Sequence, residues 1–115
     1  MEFEEFWEGT KRFLEKGVEL ETITKARFKA EFDRDAGVIV VVPASTGLPR
    51  DINKGDFRNV YERMKELRRK FRDIMRPALY QRITRNSSYI LPIIRAVQTE
   101  GGKQKTLEEE KNVTG

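Results

Sequence analysis

The chain has no cysteine and no histidine. The first absence removes disulfides and thiolate nucleophiles. The second removes imidazole acid–base catalysis, and together they remove the Cys/His zinc sites. A cysteine-free chain suits a reducing cytoplasm. No apolar run reaches membrane-spanning length, and no signal-peptide core follows the acidic start at Glu2, Glu4 and Glu5. A phosphate loop of the form G-x-x-x-x-G-K-[ST] is missing. The restriction-nuclease pattern of an acid followed by Glu-x-Lys has one match, Glu109-Glu110-Lys111, close to the C-terminus. Carboxylates, lysine, tyrosine and hydroxyls are therefore the only catalytic chemistry on offer. Glu19 with Glu21, and Glu31 with Asp33, are placed to share one side of a strand and could hold Mg²⁺. Outward charge on a strand also has the plainer role of blocking edge-to-edge aggregation. No catalytic residue, metal ligand or cofactor is assigned, and a non-enzymatic role is expected.

What the chain does have is charge, unevenly spread. Residues 1–53 hold 8 Lys/Arg against 11 Asp/Glu, residues 54–99 hold 12 against 4, and residues 100–115 hold 3 against 4. Nearly all the positive field belongs to the second half, the footprint expected of a nucleic-acid binder and also of a domain that docks on acidic proteins. At 115 residues the chain is one domain with room for a single modest core. That modest core, with an aromatic-rich first helix, predicts self-association, most simply as a homodimer.

The most regular stretch is Asn53 to Arg76, which reads as one amphipathic helix roughly 30 Å long. Asn53 is a good N-cap, Asp56 can complete a capping box, and Ile52 with Phe57 can form a hydrophobic staple. Phe57, Val60, Tyr61, Met64, Leu67, Phe71, Ile74 and Met75 keep one apolar face, and Leu67 and Phe71 are expected in the core. Pro77 is the expected stop. Arg58, Lys65, Arg69, Arg72 and Arg76 form a basic edge, continued by Arg82 and Arg85 beyond the helix. Glu62, Glu66 and Asp73 form the next strip; at helical separations Glu62 can pair with Lys65, Glu66 with Arg69 and Lys70, and Asp73 with Arg69. The same sorting serves a solvated face or a phosphate-binding one.

The remaining elements follow from period and turn chemistry. Residues 2–16 form a first helix with Phe3, Phe6, Trp7, Thr10, Phe13 and Leu14 on one face, ended near Gly17. Val18 to Thr22 and Arg27 to Asp33 alternate as strands, and Val38 to Val42 is a β-branched central strand ended by Pro43. Residues 43–52 read as a loop into the long helix, where Ser45, Thr46, Gly47, Arg50 and Lys54 could supply donors to an anion. Asn86 and Ser87 cap a third helix running to about Gln98, with Tyr89, Ile90, Ile93, Ile94 and Val97 buried and Pro92 near its first turn. The two caps also suit a phosphate beside Arg82 and Arg85. Gly101 and Gly102 are the expected stop. The expected fold is α+β: N-terminal helix, antiparallel sheet of two or three strands, long helix and C-terminal helix. A single domain covers 1–99, and 100–115 is a flexible charged tail.

Several fragments carry a resemblance: Leu20-Glu21-Thr22, the strand holding Phe28, the run Val38-Ile39-Val40-Val41-Val42-Pro43-Ala44-Ser45-Thr46-Gly47, and Arg85-Asn86-Ser87-Ser88-Tyr89-Ile90. Over residues 3–97 the chain is similar to small accessory modules found with restriction-type endonucleases and to stand-alone proteins of mobile elements such as integron cassettes. The resemblance implies a DNA-associated accessory domain and transfers no catalytic residue. The expected function is DNA or other nucleic-acid binding through the basic edge. The alternative is a protein-interaction or oligomerisation module with no nucleic-acid ligand.

Overall fold

A computed structural model describes residues 1–100 with their side chains and follows the backbone of the last helix to Thr114. The elements in chain order are α1 (Phe3–Phe13), β1 (Val18–Glu21), β2 (Arg27–Asp33), β3 (Val38–Pro43), β4 (Arg50–Ile52), α2 (Lys54–Arg68), a 3-10 helix (Pro77–Tyr80) and α3 (Ser87–Thr114). Helix α3 runs through Gly101 and Gly102, the expected stop, and on to Thr114; the side chains of the expected charged tail lie outside the described residues.

The fold is α+β, with a four-stranded antiparallel meander in the order β1-β2-β3-β4. The fourth strand lies inside the expected loop 43–52. It is three residues long, and only Ile52 turns inward, so period-two alternation had too little length to reveal it. Register puts Phe28 opposite Leu20 and Pro43, Ala30 opposite Val18 and Val41, and Ile39 opposite Ile52. Phe28, Ala30, Ile39, Val41 and Ile52 are all buried, and these residues make the inner face of the sheet. On the outer face Glu19 stands opposite Lys29 and Glu21 opposite Arg27, pairing opposite charges across β1 and β2. Gly17 sits at φ 81°, a backbone conformation that L side chains resist, and turns the chain from α1 into β1.

The helices pack on the inner face. Phe3, Phe6 and Trp7 of α1 meet Phe57 of α2, and Phe3 and Phe6 also meet Tyr61, with ring centroids 4.6–6.4 Å apart. Aromatic pairs at these separations attract beyond their area burial. The central helix is α3, which packs against α1, α2, the 3-10 helix and β1. Ile90, Leu91, Ile93 and Ile94 are all buried. They cover a wide arc of the helix, and Arg95 on its other side is exposed. The sequence reading gave Leu91 no inward role because it lies off the stripe that a one-sided helix would bury. Pro92 lies in the second turn, not the first.

The expected helix from Asn53 to Arg76 is corrected by the structure. Its start holds: the Asp56 backbone N–H donates to Asn53 Oδ1 at 2.7 Å. Ile52 and Phe57, the expected staple, are both buried. The helix then stops at Arg68, eight residues before Arg76, so it is about 22 Å long. Arg68, Arg69 and Lys70 place three cations where the helix dipole favours them. Beyond them, local bonds compete with the helix. The Met75 N–H donates to Asp73 Oδ1 at 3.2 Å, and the Tyr80 hydroxyl donates to the Ile74 carbonyl at 2.7 Å. Arg76, before Pro77, is extended at φ −108° and ψ 113°. Leu67 is buried as expected, but Phe71 is 52% exposed, contrary to expectation.

Residues 69–86 return the chain from the end of α2 to its start. At one end Arg68 Nη2 donates to Gln98 Oε1 on α3 at 3.2 Å. At the other, Thr84 donates to Asp56 Oδ2 in the first turn of α2 at 3.1 Å. Helices α2 and α3 therefore run in the same direction, with the return segment between them in sequence.

Candidate nucleic-acid interface

The seven cations of the expected basic surface fall into separate settings because α2 ends early. Arg58 and Lys65 remain on α2 and turn toward aromatic rings. The Arg58 guanidinium lies 5.9 Å from the Phe3 ring centre and Lys65 Nζ 4.9 Å from that of Tyr61. Both contacts lie within cation–π range. Lys65 is half-buried and helps line a cleft of about 590 Å³ between the three helices, with Phe6, Tyr61, Met64, Arg68 and Val97. Burial raises the phenol pKa of Tyr61 above its ordinary value, with nearby Glu62 adding to the effect.

Arg69, Arg72 and Arg76 lie beyond the last residue of α2 on the return segment, and so do Arg82 and Arg85. All five are exposed, as is Lys70 between them. Residues 69–86 thus carry six cations and one acid, Asp73, whose carboxylate accepts the Met75 N–H. The four ion pairs among the described residues lie elsewhere: Lys11 with Glu8, Arg34 with Glu15, Lys54 with Glu4, and Arg63 with Glu66. The expected pairs of Glu62 with Lys65, of Glu66 with Arg69 and Lys70, and of Arg69 with Asp73 are not formed among the described residues. Glu66 faces Arg63 instead, at 3.0 Å, and Asp73 has left the helix that would have brought it one turn from Arg69.

The segment is exposed at its cations and anchored between them. Ile74 and Tyr80 are buried, Met75 and Leu79 half-buried. The Tyr80 hydroxyl holds the Ile74 carbonyl, and burial raises its pKa as well. Ser87 Oγ donates to the Pro77 carbonyl at 3.4 Å, and the Asn86 N–H donates to Thr84 Oγ1 at 3.1 Å. The Asn86 carbonyl accepts the Tyr89 and Ile90 N–H groups, which opens α3. Buried side chains thus hold a strip of arginines outward from a fixed backbone.

The candidate anion residues after β3 are less assembled. Ser45, Thr46 and Gly47 form an exposed turn, where the Gly47 N–H donates to the Pro43 carbonyl and the Leu48 N–H to Thr46 Oγ1. Lys54 is taken up by Glu4 at 3.1 Å and lies 5.9 Å from the Trp7 ring centre. Arg50 lies over the Tyr89 ring, 5.7 Å from its centre. Asp56 already supplies negative charge to the first turn of α2. Among the described residues no three acidic side chains gather where a metal ion could be held.

Sequence reasoning missed two residues of this surface, Lys70 and Phe71. A helical phase makes Lys70 a partner of Glu66 and puts Phe71 in the core, and both assignments lapse once the helix ends at Arg68. The signal available beforehand was the run Arg68 to Arg72 itself, in which four of five residues are cationic. Comparisons with protein-family models, curated proteins and solved structures gave no match.

Proposed function

We propose that the chain is a non-enzymatic nucleic-acid-binding domain, with DNA the favoured ligand, acting in the cytoplasm. The observation that carries the proposal is the return segment 69–86, with six exposed cations, one acid engaged by the backbone, and no ion pair among the described residues. Cations without carboxylate partners give up no protein contact when they meet phosphates, and they release the counterions condensed on the strand. Their spacing on a fixed backbone, anchored by Ile74 and Tyr80, favours tracking along a phosphate backbone. Such contacts position the ligand and read little sequence. The resemblance to accessory modules of restriction-type endonucleases supports DNA over RNA.

The test is a salt series of binding to labelled single-stranded DNA, duplex DNA and RNA, read by fluorescence anisotropy. Binding should weaken steeply with salt, each phosphate contact adding about 0.7–0.9 to the logarithmic slope. Absence of binding at low salt would reject the proposal.

A second reading rests on a different face. Val38, Val40 and Val42 line the outer side of β3 and are half-buried. An apolar stripe on an otherwise charged sheet face supports a protein-interaction or oligomerisation module, with a second copy of this chain as the partner. Under this reading sedimentation gives dimer at micromolar concentration, and Val40→Lys returns it to monomer.

A further inference from the structure

Phe71 is the one exposed aromatic side chain among the described residues, at 52% exposure. Its neighbours in the chain are Lys70 and Arg72, with Arg69 one step further, and all three are exposed. The Lys70 and Phe71 N–H groups both donate to the Leu67 carbonyl at 2.9 Å, so the last turn of α2 fixes the backbone that carries the ring. An unpaired nucleotide offers an anionic phosphate and a flat base to such a surface, and every base has a π-face that a phenyl ring can stack on. In a duplex both faces of each base are already covered by the stack.

We propose that Phe71 stacks on an unpaired base while Arg69, Lys70 and Arg72 hold the adjoining phosphates, so that the ligand of this surface is single-stranded. This inference rests on the nucleic-acid reading above and narrows it. Charge complementarity places a phosphate backbone beside the ring, and the ring selects strands whose bases are free. Stacking of this kind tolerates any sequence.

Anisotropy titrations with three probes test it: a thymidine oligonucleotide, a duplex of equal length, and an abasic strand with the same number of phosphates. The wild-type chain should bind the thymidine strand more tightly than the other two. Phe71→Ala should lose roughly tenfold or more on the thymidine strand and little on the abasic strand or duplex. Phe71→Trp should keep the wild-type preference. Thermal melting should be the same for all three proteins, since the side chain lies outside the core. Equal binding of the thymidine and abasic strands by wild type, or an unchanged affinity in Phe71→Ala, overturns the stacking proposal and leaves the phosphate reading standing. No binding of any probe by wild type rejects both.

Discussion

Helix α2 and the return segment that follows it are built from similar residues and fold in different ways. Both space apolar side chains among cations. In α2, Phe57, Val60, Tyr61, Met64 and Leu67 are all buried, and Glu62 and Glu66 sit among the basic residues. In residues 69–86 the apolar period breaks, the single acid turns to the backbone, and the cations stand alone. The difference teaches that an apolar period specifies a helix only as far as there is core for its stripe to face. Phe71 keeps the right spacing from Leu67, and its N–H still donates to the Leu67 carbonyl, yet its ring is solvent-exposed, because no core lies beyond the end of α2 for it to face.

The sharpest way to break this comparison is to truncate the two residues that the period treats alike. Leu67→Ala should cost about 2–5 kcal/mol, as the removal of a buried leucine side chain does. Phe71→Ala should change stability by about 0.5 kcal/mol or less, as an exposed substitution does. Denaturant melts of the two variants decide it. Similar large losses would mean that α2 continues through Phe71 in solution.

Tyr80→Phe comes next. It removes the hydroxyl that holds the Ile74 carbonyl at 2.7 Å, inside the core. Leaving that buried acceptor without its donor should cost about 1–3 kcal/mol. Amide hydrogen exchange should show the loosening concentrated in residues 69–80, with α2 protected as before.

Asn53→Ala removes the side chain that caps α2 and should cost about 1 kcal/mol by the same melts. A smaller effect of the same sign is expected from alkali. Tyr61 and Tyr80 both have phenol pKa values raised by burial above 10.0. Below that pH both are neutral whether the chain is folded or unfolded, and their contribution is fully present. Above it the unfolded chain releases the two protons first, so stability should fall as pH rises from about 10 through the folded values. In Tyr80→Phe the fall should be shallower.

Much of the fold was legible because local signals agreed with it. The period of α1, the alternation of β2, the β-branched run of β3 and the cap at Asn53 all pointed to the elements found. Three features were hidden, each for a physical reason. Strand β4 has one inward residue and so no period. Beyond the end of α2 the chain is held by Asp73, Tyr80 and Pro77 together, and the Tyr80 bond reaches back to Ile74 across the 3-10 helix. The position of α3 at the centre depends on what surrounds it, and its buried arc widens past the expected stripe to take in Leu91. Arg69, Arg72, Arg76, Arg82 and Arg85 were legible as a group by charge, but not their removal from α2. Charge density survives an error in helix phase, whereas the assignment of Phe71 to core or surface does not.

The central claim is that the cations of the return segment form a phosphate-binding surface, while the mixed charges of α2 are a solvated face. Reversing two charges in each region and following strand affinity across a salt series tests this most directly. Arg69→Glu with Arg72→Glu should weaken binding strongly and flatten the salt dependence while the melting temperature holds, since exposed charges contribute little to stability. Glu62→Lys with Glu66→Lys should strengthen binding by adding positive field beside the segment. Undiminished affinity after reversal of Arg69 and Arg72, at the lowest salt measured, would contradict the account.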